Sequence, residues 1–363
     1  VFFAPHPLLS FGRHSPFAAA WKDMRMPVYV AFIAVLVVAL LAPWPLSGVL
    51  RGRGMIDVPN ARSSHQEPTI RGAGLAPLAA IVVGYMFLFA RSDDRPSNAL
   101  TVILAVTIFA AALGGAEDVV GVPVKLRAAL QLLIGLGGAI AVVWSTHVDW
   151  WVAIIAGVAI AGYINVANFM DGVNGISGLH AIVVGAFFGV LGGLTGMTWM
   201  TESGVVLALG FAGFLPWNVI RGRMFLGDVG SYLLGGGIAI IAVEALAHGV
   251  SWLVIVAPLA VYLADSGTTL VRRVLAGDRW FEAHRTHTYQ RLTDVGISHI
   301  GVALVVALAT ALASAVGLFV AAMPVDWPGG VAAVVLIVLV YLGLPRVIGS
   351  MRATSQLPKE TSN

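Results

Sequence analysis

Residues 150–175 read WWVAIIAGVAIAGYINVANFMDGVNG. No charged side chain interrupts the run between Trp150 and Met170, and about 20 such residues are what a helix needs to cross a hydrocarbon layer. The stretch therefore predicts a membrane helix that meets water near Asp171. Asn165, Asn168, Asp171 and Asn174 recur every third residue, which sets them along one slowly drifting helical face. Gly172 and Gly175 then mark a helix end where the chain can approach a ligand closely. A polar stripe in lipid is costly unless it faces a bundle interior or a wet cavity. It marks either a functional site or a structural amide ladder.

Outward from this stretch, the same composition holds. Of 363 residues, 58% are hydrophobic and 11% charged, and the mean hydropathy is +0.90. Soluble domains do not have this composition; the chain reads as an all-α, polytopic helical membrane bundle. Apolar runs lie at about 28–48, 72–90, 98–116, 127–146, 150–168, 176–196, 204–217, 231–249, 251–271, 299–323 and 329–347, about eleven spans with the seventh the shortest. Expected organisation is an arm over 1–27, a single transmembrane catalytic domain over 28–347 and a cytoplasmic tail over 348–363. The arm begins with Val1, carries Met24 and Met26 just before the first span, and resembles no cleavable signal; an over-extended start or a disordered arm is expected.

Charge sets the orientation. With the N-terminus outside, 16 of the 21 Lys and Arg residues fall in cytoplasmic loops and tail, which predicts an outer N-terminus and a cytoplasmic C-terminus. The pI near 9.4 suits anionic lipid or phosphorylated ligands, with no sign of nucleic-acid binding. The absence of Cys excludes disulfides and thiolate metal sites.

Four further segments carry candidate chemistry. Asp57 to Gly74 places Arg62, His65 and Arg71 beside the glycines that lead into the second span. Inside-positive topology alone accounts for the arginines but not for His65. Glu117 and Asp118 close the third span, with Lys125 and Arg127 opening the fourth; at a fraying helix end both carboxylates could reach one cation. Gly227-Asp228-Val-Gly230-Ser231 opens a helix, offering free backbone N–H groups with a carboxylate, which suits a metal–phosphate pair. Asp265, in the ninth span, reads either as an inner ligand or as the partner of a neighbouring Arg. The longest polar segment, 276–298, holds His284, Arg285, His287, Tyr289 and Arg291, a set better suited to phosphate or base contact than to Mg²⁺ ligation. Carboxylates with many basic groups on one face suit Mg²⁺-assisted phosphoryl chemistry on a nucleotide-linked substrate. A secondary transporter is the rival from another class, but its polar groups would cluster at the midplane between repeats.

These elements resemble the superfamily of polyprenyl-phosphate N-acetylhexosamine-1-phosphate transferases. The matching residues are Asp57–Pro59-Asn60…Arg62…His65, Glu117-Asp118, Asn165…Asn168-Phe-Met-Asp171-Gly, Phe225-Leu-Gly-Asp228-x-Gly-Ser231 and Arg272-Arg273…His284-Arg-x-His-x-Tyr-Gln-Arg291-Leu, in family order from 57 to 292. The wording of the last segment is closest to the branch that starts O-antigen and related surface glycans. The alternative within the family is the muramyl-pentapeptide transferase. The resemblance implies transfer of an N-acetylhexosamine 1-phosphate from a UDP-sugar to undecaprenyl phosphate, with release of UMP and with Mg²⁺ or Mn²⁺ as cofactor. It also implies a bacterial inner membrane location, a cytoplasmic site and a homodimer as candidate assembly. Catalytic roles would fall to Glu117, Asp118, Asp171 and Asp228, with Asp228 and Asp118 on the metal. Substrate contacts would fall to His65, Arg71, Lys125, Asn165, Asn168, Asn174, His284, Arg285, His287 and Arg291. Three positions depart from the family wording: Glu117 for Asp, Asn174 for the second Asp of Asp-Gly-x-Asp-Gly, and Ile70-Arg-Gly-Ala-Gly74 for Pro-Arg-Gly-Gly-Gly. Asn174 is thereby limited to hydrogen bonding.

Overall fold

The computed structural model describes residues 27–58, 68–91, 97–220, 224–277, 286–323 and 328–355. Its helices, in chain order, are α1 (Val28–Leu41), α2 (Pro43–Gly52), α3 (Leu75–Ala90), α4 (Asn98–Val120), α5 (Val124–Thr146), α6 (Val152–Met170), α7 (Ile176–Thr195), α8 (Thr198–Val219), α9 (Gly227–Ala247), α10 (Trp252–Leu275), α11 (Thr288–Asp294), α12 (His299–Ala321) and α13 (Pro328–Ser355). Among the described residues, nine helices are long and apolar enough to cross a membrane. The bent pair α1–α2, which turns by 41° where Pro43 opens the second helix, gives a tenth if it is counted as one span; α3 is apolar but only 16 residues long. The chain is an all-α, multi-pass membrane protein.

The eighth helix corrects one expectation. A short span at 204–217 was expected, yet α8 runs through 22 residues. Its first turns carry Thr198, Glu202 and Ser203, which depress hydropathy; Thr198 is exposed, but Glu202 and Ser203 find partners inside the bundle. Glu202 pairs with Arg91 at 3.2 Å, and Ser203 accepts a hydrogen bond from the buried Tyr85 hydroxyl at 2.9 Å. Likewise α13 continues to Ser355, beyond the expected boundary at 347.

Burial places α9 at the centre. Its span window is 89% buried, against 17% for α13, whose Val335, Leu336, Leu339 and Val340 stay exposed as a lipid-facing surface would. Three successive glycines make the central position fit. Gly235 lies against the backbone of Tyr163 and Ile164 on α6, and Gly236 against Ala110 on α4, so the three helices pack almost backbone to backbone.

One scrap of sheet interrupts the helical plan and matters for the site. Strand β1 (Ile56–Asp57) pairs antiparallel with β2 (Thr69–Ile70), with Ile56 opposite Ile70 and Asp57 opposite Thr69. Met224 bridges Ile70 from the other side, and the amide of Phe225 donates to the Ile70 carbonyl at 2.7 Å. Ala73 and Gly74 donate back to Phe225 and Leu226. This ladder fixes Arg71 directly beside the start of α9.

Candidate functional site

At one end of the bundle the 71–74 turn, the end of α4, the end of α6 and the start of α9 meet. Gly227 takes a φ of +73°, and a Cβ there would meet Asp118 Oδ2 at 2.6 Å, so only glycine fits. A Cβ on Gly114 would collide with the carbonyl of Asp228. These contacts bring Asp118 and Asp228 together across 110 residues of chain.

Asp118 is fully buried. Its Oδ1 accepts from the backbone N–H of Asp228 at 3.0 Å and pairs with Arg71 Nε at 2.7 Å; its Oδ2 accepts from the N–H of Val229 at 2.9 Å. Asp118 therefore caps α9 from another helix, satisfying donors that a helix start leaves open. The N–H groups of the Gly-Asp-x-Gly-Ser motif, expected to be free for phosphate, are thus partly consumed: two belong to Asp118. The adjacent acids pair with different arginines. They lie inside α4, which runs on to Val120, and their side chains diverge. Glu117 instead pairs with Arg127 at 2.8 Å and accepts from the N–H of Val122 at 2.6 Å, closing the α4–α5 turn. Lys125 is exposed on α5.

Asp228 is part-exposed. Its Oδ2 faces Arg71 Nη2 at 3.0 Å and its Oδ1 accepts from Asn168 Nδ2 at 2.8 Å; the same amide reaches Ser231 Oγ at 3.1 Å. Arg71 thus bridges both aspartates while 41% of its side chain remains exposed. Burial alone would lower the pKa of Arg71, but Asp228 and Asp118 outweigh it and the value is raised, so the guanidinium stays charged.

The asparagine stripe divides. Asn168 reaches the acids, whereas Asn165 donates to Gln131 Oε1 at 2.6 Å, a fully buried residue of α5 that sequence reasoning missed. An uncharged polar residue in an apolar span was its signal. Asp171 lies just past the end of α6 and accepts from Ser177 Oγ at 2.6 Å. Burial pushes its carboxyl up to about 7; the Ser177 hydrogen bond opposes this, and the nearby Asp228 and Asp118 add to it. Asn174 is half-buried in the turn before α7.

The polar 286–294 segment docks on the same corner. Tyr289 donates its hydroxyl to the Phe169 carbonyl at 3.0 Å and lies against Gly172, where a Cβ would strike that hydroxyl. His287 is buried, its ring centroid 6.3 Å from that of Phe169. Its Nδ1 meets Asp265 Oδ1 at 3.3 Å. Asp265 is neither an open ligand nor an Arg partner. It accepts from the N–H groups of Thr288 and Tyr289 and from the Tyr341 hydroxyl, pinning α11. Arg291 is half-buried on α11. His65, His284 and Arg285 lie outside the described residues.

Among the described residues, no group of three or more His, Asp or Glu converges as a metal cage. What remains is a pair of carboxylates with a bridging cation, at the end of an apolar bundle. Residues 100–246, which contain Asp118, Asn168, Asp171 and Asp228, match the family described as glycosyl transferase family 4. A Bacillus subtilis protein named as a probable undecaprenyl-phosphate N-acetylglucosaminyl 1-phosphate transferase is 25% identical, over 76% of this chain and 80% of its own. Both matches support the polyprenyl-phosphate hexosamine-1-phosphate transferase superfamily as the group this chain resembles. Two further relatives mark the breadth of that superfamily. A decaprenyl-phosphate N-acetylglucosaminephosphotransferase of Mycobacterium tuberculosis is 27% identical over 92% of this chain and 93% of its own. A phospho-N-acetylmuramoyl-pentapeptide-transferase of Streptococcus pneumoniae is 26% identical over 65% and 77%.

Proposed function

We propose that the protein transfers an N-acetylhexosamine 1-phosphate from a UDP-sugar to undecaprenyl phosphate, starting a lipid-linked surface glycan such as O-antigen at the cytoplasmic face of a bacterial inner membrane. The observation that carries this reading is the Arg71–Asp118–Asp228–Asn168 cluster at one end of an apolar bundle. An acceptor that cannot leave the bilayer and a donor that cannot enter it must meet at such an end. The names of the superfamily members above support the general reaction.

The bond made joins an oxygen of the lipid phosphate to the sugar-linked phosphorus. The bond broken joins that phosphorus to the bridging oxygen, which leaves with UMP. A phosphate monoester has a second pKa of about 6, so the nucleophile is already largely ionised at neutral pH and a general base gains little. This agrees with an Asp118 whose two oxygens are engaged by α9 and Arg71. Such a carboxylate positions; it has no free edge for a proton.

Mg²⁺ fits the donor set. It favours oxygen ligands, keeps several waters and is usually held by one or two carboxylates with substrate phosphates, so a three-residue cage is not required. Asp228, the part-exposed acid, would hold it, with Asp118 behind; Mn²⁺ would serve similarly. When bound, it offsets the charge of the diphosphate. Arg71 supplies a planar cation for phosphate oxygens, and Asn168 holds Asp228 in orientation. The His287–Arg291 segment, docked on Phe169 and Gly172 through Tyr289, would read the donor.

The test is direct. Membranes containing the protein are given undecaprenyl phosphate and a panel of UDP-N-acetyl sugars, with UDP-N-acetylmuramyl-pentapeptide as the rival donor, and UMP is measured. UMP release with an N-acetylhexosamine donor, lost at least about a hundredfold in Asp228→Asn, is expected. Release only with the muramyl donor would move the protein to the peptidoglycan branch. No release with any donor would sink the reading.

A further inference from the structure

The four carboxylate oxygens of Asp118 and Asp228 are not equivalent. Asp118 Oδ1 and Oδ2 hold backbone N–H groups of α9, and Asp228 Oδ1 holds Asn168. Asp228 Oδ2 alone has Arg71 as its only hydrogen-bond partner among the described residues. Arg71 in turn is attached unequally. Nε lies 2.7 Å from the fully buried Asp118, whereas Nη2 lies 3.0 Å from the part-exposed Asp228. One end of the guanidinium is held by the interior and the other covers the one carboxylate oxygen a ligand from water could take.

We propose that Arg71 is a placeholder on Asp228 Oδ2 that a divalent cation replaces. On this scheme Arg71 stays hinged on Asp118 through Nε while its released Nη arm turns to the substrate phosphates. The inference rests on Asp228 being the cation ligand. Without metal, the guanidinium offsets part of the charge of two acids whose mutual repulsion would otherwise strain the joint between α4 and α9. When a cation supplies that charge, the same arm becomes available to an anion. Arg71 is thus a positioning residue for the empty site and a phosphate contact in the filled one.

The experiment measures Mn²⁺ binding to the purified full chain in detergent by electron paramagnetic resonance, without substrate, for the parent, Arg71→Ala, Arg71→Lys and Asp228→Asn. Arg71→Ala should bind Mn²⁺ about tenfold more tightly, since a competing cation has gone. Loss of repulsion alone would give the same sign, so Arg71→Lys decides. Lysine keeps the charge but lacks the fork that spans two carboxylates. Under exchange it releases Asp228 and also binds Mn²⁺ several-fold more tightly than the parent; under repulsion alone it matches the parent. Both variants should nonetheless lose turnover. A lysine variant with parental Mn²⁺ affinity, or an alanine variant no tighter than the parent, overturns the exchange if Asp228→Asn abolishes Mn²⁺ binding. If Asp228→Asn leaves Mn²⁺ binding intact, the assignment of the cation to Asp228 falls and takes the exchange with it. Melting curves of each variant show that the comparison is among folded proteins, and Arg71→Gln replaces alanine if the latter does not fold.

Discussion

Asp118 and Asp265 each lie fully buried, and each accepts hydrogen bonds from two successive backbone N–H groups of another segment: Asp228 and Val229 for the first, Thr288 and Tyr289 for the second. What else they hold separates them. Asp265 is closed off by the buried Tyr341 hydroxyl and the buried His287 ring. Asp118 is tied to Arg71, which is 41% exposed and shared with Asp228. The same capping arrangement therefore serves the fold in one place and connects it to a solvent-facing cation in the other. A buried acid at a helix start is not a ligand by virtue of being there; the exposure of its third partner distinguishes the two.

The sharpest break should come from Asp265→Ala. It leaves two backbone donors and a tyrosine hydroxyl buried without an acceptor, at about 1–3 kcal/mol for each orphaned group. The largest fall in melting temperature of any single change discussed here is expected, measured in detergent. A curve that superposes on the parent would show that the cap is dispensable. Asp118→Asn should cost less stability, because one oxygen remains to accept. It should lower turnover across the whole pH range while the acidic limb of kcat/KM for the acceptor stays near about pH 6, the second pKa of a phosphate monoester. Disappearance of that limb, with acceptor and metal binding intact, would make Asp118 the titrating base and erase the contrast in function.

Asp171 gives the smallest and most specific effect. Burial chiefly raises its folded pKa to about 7, from the 3.8 of an ordinary aspartate carboxyl. The folded chain therefore holds more protons than the unfolded chain between these values. The contribution to stability is fully present below about pH 4 and is lost as pH rises through 7. In metal-free buffer, the melting temperature of Asp171→Asn should fall less than that of the parent between pH 4 and 7. Parallel pH profiles would show that Asp171 titrates as an ordinary carboxyl in the fold.

Much of the bundle is legible in the sequence because lipid imposes it: an apolar run of sufficient length has few alternatives to a helix. Asp118, Asn168, Asp171 and Asp228 were legible as polar groups at span ends. Their pairings were not. A three-residue spacing shows that Asn165 and Asn168 share a drifting face, but not that the drift turns Asn165 to Gln131 and Asn168 to Asp228. Glu117 and Asp118 are neighbours in sequence and roughly 100° apart around a helix, so one closes a local turn and the other caps a distant helix. Motif spacing cannot report that the N–H groups of Asp228 and Val229 are already spoken for, since their acceptor arrives from 110 residues away. The length of α8 was misjudged because polar residues satisfied by other helices count against hydropathy in the same way as solvated ones.

The shortness of α3 has a consequence for where the reaction meets the lipid. Sixteen residues rise about 24 Å, against about 34 Å for the 23 of α4 beside it and a hydrocarbon thickness of about 30 Å. Leu75 and Met86 of α3 are exposed, so acyl chains must adapt to this helix rather than be shielded from it. Thinning of the bilayer is one way in which so short an apolar helix is accommodated. Arg71 stands four residues before α3, at the end where Asp118 and Asp228 meet. A headgroup plane drawn inward beside the guanidinium would let the lipid-linked phosphate of the proposed reaction reach it with its tail still in the membrane.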